Sequence, residues 1–234
     1  MKPEPGARAR PAEAARRRGG GAPDGTTRLL FIFDMDDVLY DYDWRTRMSG
    51  LSAATGLSIE QLWERWWNGP EHAAEAGTPD SADAYLDAFN AAVGGSVSED
   101  DWVSIRRSGM TPRADAIAAV GRAAELGRVT LLTNNGALVH KHLATTLAPE
   151  LVPHFGEHLF SSSHYGARKP DPIVFERVLE RYGTTAADAF FADDLLENVE
   201  GARSVGITAY HYGDAPGLLA AIESFAASKP NASE

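Results

Sequence analysis

The apolar positions of the chain follow two rhythms. RLLFIFD (28–34) is a short continuous apolar run that stops at an acid; it is too short for a helix and suits a strand buried on both faces. RVTLLTNN (128–135), GEHLFSSS (156–163), DAFFADD (188–194) and ITAYHY (207–212) have the same character. Helical spacing fills the intervals, in PRADAIAAVGRAAELG, ALVHKHLATTL, PIVFERVLERYG, LLENVEGARSVG and APGLLAAIESFAA. Their ends are marked. Asp171 caps PIVFERVLERYG with Pro172 behind it, Gly183 closes it, and Gly127 ends the helix that starts at Pro112. Strand alternating with helix predicts an α/β fold with a Rossmann-like, doubly wound parallel sheet.

Residues 43–110 break that alternation. They are helical in pattern and carry no strand signal, with breakers at Gly56, Asn68-Gly69-Pro70, Gly77-Thr78-Pro79 and Gly94-Gly95. Ser58, Ser81 and Ser98 stand where helix N-caps belong. The expected organisation is a catalytic core from 29–42 and 111–234, interrupted by an all-helical lobe at 43–110. Residues 1–28 are rich in Gly, Pro, Ala and Arg with almost no large apolar side chains, and are expected to form a disordered tail.

Composition narrows the function. The chain of 234 residues has no cysteine, so disulfides, thiolate metal sites and a cysteine nucleophile are excluded. The formal net charge is -11, and the basic tail leaves the rest still more acidic, which argues against nucleic acid as a partner. No apolar run reaches membrane-spanning length and no secretory signal is visible, so a cytoplasmic protein without membrane contact is expected. Oligomeric state is left open.

In open α/β sheets ligands bind beyond the carboxyl ends of the strands. Asp34-Met35-Asp36, Thr133-Asn134-Asn135 and Asp193-Asp194 stand at three of those ends, and Arg168-Lys169-Pro170 follows the third strand. Acids together with a lysine and a hydroxyl suit a cation and a phosphate bound side by side. Asp34 can attack phosphorus as a carboxylate nucleophile, and Asp36 can protonate the leaving oxygen and then activate water. Lys169 can balance the charge on the nucleophile and the phosphoryl oxygens, and the Thr133 hydroxyl can hold the phosphoryl group, with Asn134 beside it. The crowded carboxylates call for a cation, and magnesium prefers such oxygen ligands.

FDMDDVLY, LLTNN, ARKPDP and FFADDLLENVEGA, in this order, resemble the haloacid dehalogenase-like hydrolase superfamily over about residues 29–226. The resemblance implies a magnesium-dependent phosphoric monoester hydrolase with Asp34 as nucleophile, Asp36 as acid/base, and Thr133 and Lys169 in the phosphate site. It also implies magnesium on the Asp34 carboxylate, the Asp36 carbonyl and the Asp194 carboxylate, with Asp193 acting through water. The insert at 43–110 matches the family's small helical cap. RKPDPIVFERVLERYG, FFADDLLENVEGARSVGITA and LAPEL look most like a sugar-phosphatase branch that includes α-D-glucose-1-phosphate phosphatases, so a small phosphorylated metabolite, a sugar phosphate first, is the expected substrate. The alternatives are a nucleotide 5'-monophosphate phosphatase, a phosphomutase, a dehalogenase and a non-catalytic partner-binding domain.

Other residues receive plainer readings. Trp63, Trp66 and Trp67 share one face of an α-helix and read as the lobe's own core, or as an aromatic wall for substrate. Arg45, Arg106 and Arg107 read as solvated helix charges, and the seven histidines as surface or packing residues. Asn198, one turn past Asp194, is expected to orient that carboxylate, as in the family. Asp37, where that family commonly has a small or polar residue, is expected to face away.

Overall fold

The computed structural model describes residues 29–229; the expectation for the tail at 1–28 lies outside them. In chain order the strands are β1 (Leu30–Phe33), β2 (Tyr40–Tyr42), β3 (Met110–Pro112), β4 (Arg128–Thr133), β5 (Leu159–Ser161), β6 (Ala189–Asp193) and β7 (Thr208–His211). Five of them form one parallel sheet in the order β5-β4-β1-β6-β7. The chain leaves β1 toward β4 on one side and later returns to β6 on the other. The strand order therefore reverses at β1, where a ligand crevice opens beyond the carboxyl ends.

Side chains of β1 alternate between the faces, as the pleat demands. Leu30 and Ile32 pack with Val174, Phe175 and Val178, while Phe31 and Phe33 pack with Val120, Leu218 and Phe225. The first set comes from α9 (Pro172–Tyr182), the second from α6 (Ala114–Leu126) and α11 (Ala215–Ala227). Both faces are thus covered, which explains why the strand reads as an unbroken apolar run. Emptying one of these buried phenylalanines to alanine should cost about 3–5 kcal/mol.

Between β2 and β3 the chain builds the helices α1 (Trp44–Thr55), α2 (Ile59–Leu62), α3 (Pro70–Glu75), α4 (Ala82–Val93) and α5 (Glu99–Ser108). Asp43, Ser58, Ser81 and Ser98 cap four of them with their side chains. The three-residue strands β2 and β3 pair antiparallel where the helical segment departs and returns, with Asp41 opposite Thr111. This ribbon lacks any sequence signature because strands of that length show no period. On the core side lie α7 (Ala137–His142), α8 (Val152–Phe155) and α10 (Leu196–Ser204).

A π-helical turn covers Trp63–Trp67, closed by the Asn68 N–H donating to the Trp63 carbonyl at 2.8 Å. The three tryptophans do not share one environment: Trp66 and Trp67 both meet the Phe89 ring edge-on, with centroids 5.4 and 6.5 Å away. Trp66 is buried against Tyr85 and Phe89, whereas Trp63 is half exposed.

Candidate active site

Asp34 follows β1, Thr133 ends β4, and Asp193 ends β6 with Asp194 next in the chain. The Asp34 N–H donates to the Ala192 carbonyl at 3.0 Å, which locks the ends of β1 and β6 side by side. The Lys169 ammonium sits between them, 2.7 Å from Asp34 Oδ1 and 2.6 Å from Asp193 Oδ2. It arrives there on the loop before α9. Asn134 fixes that loop with a double hydrogen bond: its Oδ1 accepts from the Lys169 N–H at 2.9 Å, and its Nδ2 donates to the Lys169 carbonyl at 2.9 Å. Gly201 on α10 lies so close to Pro170 that a β-carbon there would meet the Pro170 carbonyl oxygen, so α10 also packs the lysine loop into place.

The electrostatics follow from this crowding. Burial holds the Asp34 carboxyl well above the ordinary carboxylate range; Lys169 opposes that, while Asp193 and Asp36 add to it. Burial would push the Lys169 ammonium down, but Asp193 and Asp34 outweigh it and hold the group above its ordinary value. Asp194 is pushed up to about 6 by burial and by the charges of Asp193 and Asp37.

One oxygen each of Asp34, Asp193 and Asp194 can be chosen so that all three lie within 4.8 Å of one another. Three hard oxygen donors around one ammonium leave uncompensated negative charge, and this donor set fits a small divalent cation such as magnesium. Asp193 is held in place by the protein. Its Oδ2 accepts from Lys169, and its Oδ1 accepts from the Leu195 N–H and from Asn198 Nδ2, both at 2.9 Å. Asn198 therefore orients Asp193, not Asp194 as its spacing suggested, because the helix carrying it begins after the chain has turned away from Asp194. Asp194 makes no ion pair among the described residues. The Thr133 hydroxyl is buried and accepts from Asn135 Nδ2 at 2.8 Å, and Asn135 is a site residue that the sequence reading left without a role.

Asp36 lies apart from this cluster, on the side that faces the helical insert. Both of its oxygens accept from Arg106 Nη2, at 2.8 and 2.6 Å. Arg106 is fully buried, and its guanidinium lies 3.8 Å over the Tyr42 ring. This overturns the reading of Arg106 as a solvated charge. Its spacing carried the signal: it stands four residues after Trp102 and three after Val103, on the buried face of α5. Arg107 pairs with Glu150 at 3.0 Å, and Arg45 rests on the exposed Trp44 ring. Asp37 adopts a left-handed backbone (φ 59) and its Oδ1 accepts from the Tyr42 N–H. Its Oδ1 also lies 3.9 Å from Arg113 Nη2, and its charge reaches Asp194. His140, His158 and His164 pack with Phe160, and His142 pairs with Glu99 at 2.6 Å.

A pocket of about 220 Å³ opens beside Asp36 between the strand ends and the insert, lined among others by Trp44, Arg47, Trp63, Trp67, Asn134 and Asn135.

A doubly wound sheet with a helical insert after its first strand, and an aspartate–lysine–aspartate cluster beyond its strand ends, defines a class of hydrolase. Residues 29–206 match the haloacid dehalogenase-like hydrolases, and the chain belongs to that family. It is 30% identical to the phosphatase MT3486 of Mycobacterium tuberculosis over 76% of this chain and 84% of that protein. A shorter stretch, 24% of this chain and 29% of the relative, is 45% identical to the sesquiterpene phosphatase astK of Aspergillus oryzae. Among solved structures, a HAD family enzyme of Bacteroides thetaiotaomicron in complex with magnesium and inorganic phosphate shares the fold, with a TM-score of 0.64 and 21% identity over 80% of this chain and 94% of that one. Among the described residues no helix is long and apolar enough to cross a membrane.

Proposed function

We propose that the protein is a magnesium-dependent phosphatase that hydrolyses a small phosphomonoester through an aspartyl-phosphate on Asp34. The observation that carries this reading is the Lys169 ammonium held between Asp34 and Asp193, with Asp194 open beside them. The family of the chain, the phosphatase named among its relatives and the magnesium and phosphate bound by a structural neighbour support it.

Asp34 and Asp194, with the Asp36 carbonyl, would hold the magnesium, which when bound supplies positive charge beside the phosphoryl oxygens. The chain's own groups do the rest. An Asp34 carboxylate oxygen attacks phosphorus and the bond from phosphorus to the ester oxygen breaks. Asp36 gives its proton to the departing oxygen, then removes a proton from the water that attacks the phosphorus of the acyl phosphate. Lys169 steadies Asp34 and faces the phosphoryl oxygens, while Asp193 holds Lys169 in place. The Thr133 hydroxyl accepts from Asn135, which leaves its own hydrogen for a phosphoryl oxygen. Asn134 positions the lysine loop with its side chain. Asp36 starts paired with Arg106, so its proton transfers require that pair to loosen.

Phosphate release from 4-nitrophenyl phosphate tests this reading. Turnover that appears with magnesium and disappears in excess chelator agrees with it; full activity in chelator contradicts it. Sugar phosphates, the finer expectation from sequence, belong in the same substrate panel, with nucleoside monophosphates and a prenyl phosphate.

A further inference from the structure

We infer that Arg47, in the wall of the pocket beside Asp36, binds a carboxylate carried by the leaving group of the substrate. The inference rests on the phosphatase reading and adds a specificity-determining residue to the same site. The first observation is a set of buried donors with nothing to donate to. Arg47 is 6% exposed and lines the pocket. Its Nη1 donates to the Tyr42 hydroxyl at 3.2 Å, while its Nε and Nη2 have no hydrogen-bond partner. The guanidinium carbon lies 4.6 Å from the centroid of Trp102, whose Nε1 is also buried and unpartnered. Arg106, stacked on the same Tyr42, gives Nη2 to Asp36 and leaves Nε and Nη1 unpartnered. Three residues around one tyrosine thus hold five buried N–H groups without an acceptor, an arrangement that is costly until something supplies one.

The second observation is that the acceptors of the lining carry no such deficit. Asp36 is held by Arg106, Glu75 Oε2 accepts from Arg168 Nε at 2.6 Å, and Glu71 Oε2 accepts from Trp66 Nε1 and from the Tyr85 hydroxyl. None of their oxygens is both buried and unpartnered, so any that lacks a protein donor is reached by water. The unmet demand of the wall is therefore for an acceptor. The two free groups of Arg47 are the Nε–H and Nη2–H of one guanidinium edge, which run parallel and match the two oxygens of a carboxylate. A carboxylate accepts only, so it answers both donors without bringing a hydrogen that needs an acceptor in turn. Burial would lower the basicity of Arg47, but Tyr42, Tyr85 and Glu71 outweigh burial and hold the group above its ordinary value, so it meets the ligand as a cation. The charge of Glu71 opposes a doubly charged second phosphate there more than a single carboxylate. The edge is shut off from water in this arrangement, and engaging it takes a turn of the guanidinium from the Tyr42 hydroxyl toward the pocket.

The pocket volume of about 220 Å³ accommodates a benzyl group with one small substituent. Benzyl phosphates that carry a carboxylate, a carboxamide or a hydroxymethyl group, each at the meta or the para position, form a matched set. The amide has the shape of the carboxylate but brings hydrogens, so it is the form that open oxygens of Glu71 and Glu75 would choose. With magnesium present, kcat/KM for the better carboxylate isomer should exceed that for its amide and its hydroxymethyl analogue by about 10- to 100-fold, the range of a hydrogen bond to a charged group. Arg47→Met should bring that ratio to about one, and Arg47→Lys should keep part of it. Amide or hydroxymethyl esters hydrolysed as fast as the carboxylate by the unaltered protein would overturn the inference, a result that depends on no variant folding. A ratio untouched by Arg47→Met would overturn it as well. Hydrolysis of 4-nitrophenyl phosphate by the unaltered protein separates the two failures. If that ester is also inert with magnesium, the phosphatase reading has failed; if it turns over while the carboxylate has no advantage, only the Arg47 inference has.

Discussion

The floor and the roof of the site are built on opposite physical plans. The floor, at the carboxyl ends of β1, β4 and β6, packs ionised groups tightly: one buried ammonium between Asp34 and Asp193, with Asp194 alongside. The roof, from α1 to α5, sets aromatic rings around buried arginines, Arg47 on Trp67 and Trp102, and Arg106 on Tyr42 and Asp36. The floor keeps charge unbalanced so that a cation and a phosphate can complete it. The roof lines the pocket beside Asp36 with exposed aromatic rings, Trp44 and Trp63 among them. Arg106, reaching from α5 to Asp36, is where floor and roof touch.

Mutations on the two sides should therefore fail differently. The largest effect falls on the floor. Asp34→Asn keeps the shape and removes the nucleophile, so turnover should drop on the order of 10⁴-fold or more while the thermal unfolding midpoint changes little; stopped phosphate-release assays and calorimetry check both. Lys169→Met comes next. It leaves Asp34 and Asp193 facing each other without compensation, and unfolding in denaturant should show a loss of about 3–5 kcal/mol together with lost activity. A stable Lys169→Met protein would mean that the floor is not held by that ammonium.

Arg106→Met probes the junction. Asp36 keeps its position in the chain but loses the group that orients it, so kcat should fall by roughly 10- to 100-fold, in the range general acid–base contributions span. The pH profile of kcat should change shape as well, a readout that simple loss of packing would not move. Arg106→Lys should recover part of the rate.

The smallest effect is in the roof. Glu75 is pushed up to about 7 by burial and by Glu71, against the pull of Arg168. A carboxyl raised on folding favours the protonated state in the native protein, so native stability falls as pH rises from its ordinary value, 4.5, toward about 7. Glu75→Gln should flatten that slope in urea titrations between those limits.

Much of the floor was legible in the sequence because its logic is local. A buried parallel strand must be apolar throughout and must end somewhere, so Asp34, Thr133 and Asp193 announce themselves as the first polar residues after LFIF, TLL and FFA. Lys169 could be named, but its reach to both acids depends on a loop pinned by Asn134. The roof was less legible for a physical reason. Trp63, Trp66 and Trp67 have one pattern in an α-helix and another in a π-helical turn, and nothing in their spacing says which is formed. Arg106 has its partner 70 residues away, so only the docking of α5 on the first strand end shows what it does. Asn198 was assigned to the wrong neighbour because two adjacent acids, Asp193 and Asp194, point to different sides once the strand ends.

The claim that joins floor and roof is that Asp34 carries the phosphoryl group while Asp36 serves both halves of the reaction. Asp36→Asn should slow the second half and let the first half run with a leaving group that needs no proton. Acid-quenched single turnovers of Asp36→Asn with 4-nitrophenyl phosphate and magnesium, followed by peptide mass spectrometry, test it most directly. The account predicts a burst of nitrophenolate matched by one phosphoryl group on the peptide containing Asp34. A burst with the phosphoryl group on another residue, or nitrophenolate released with no phosphopeptide at any time, would contradict it.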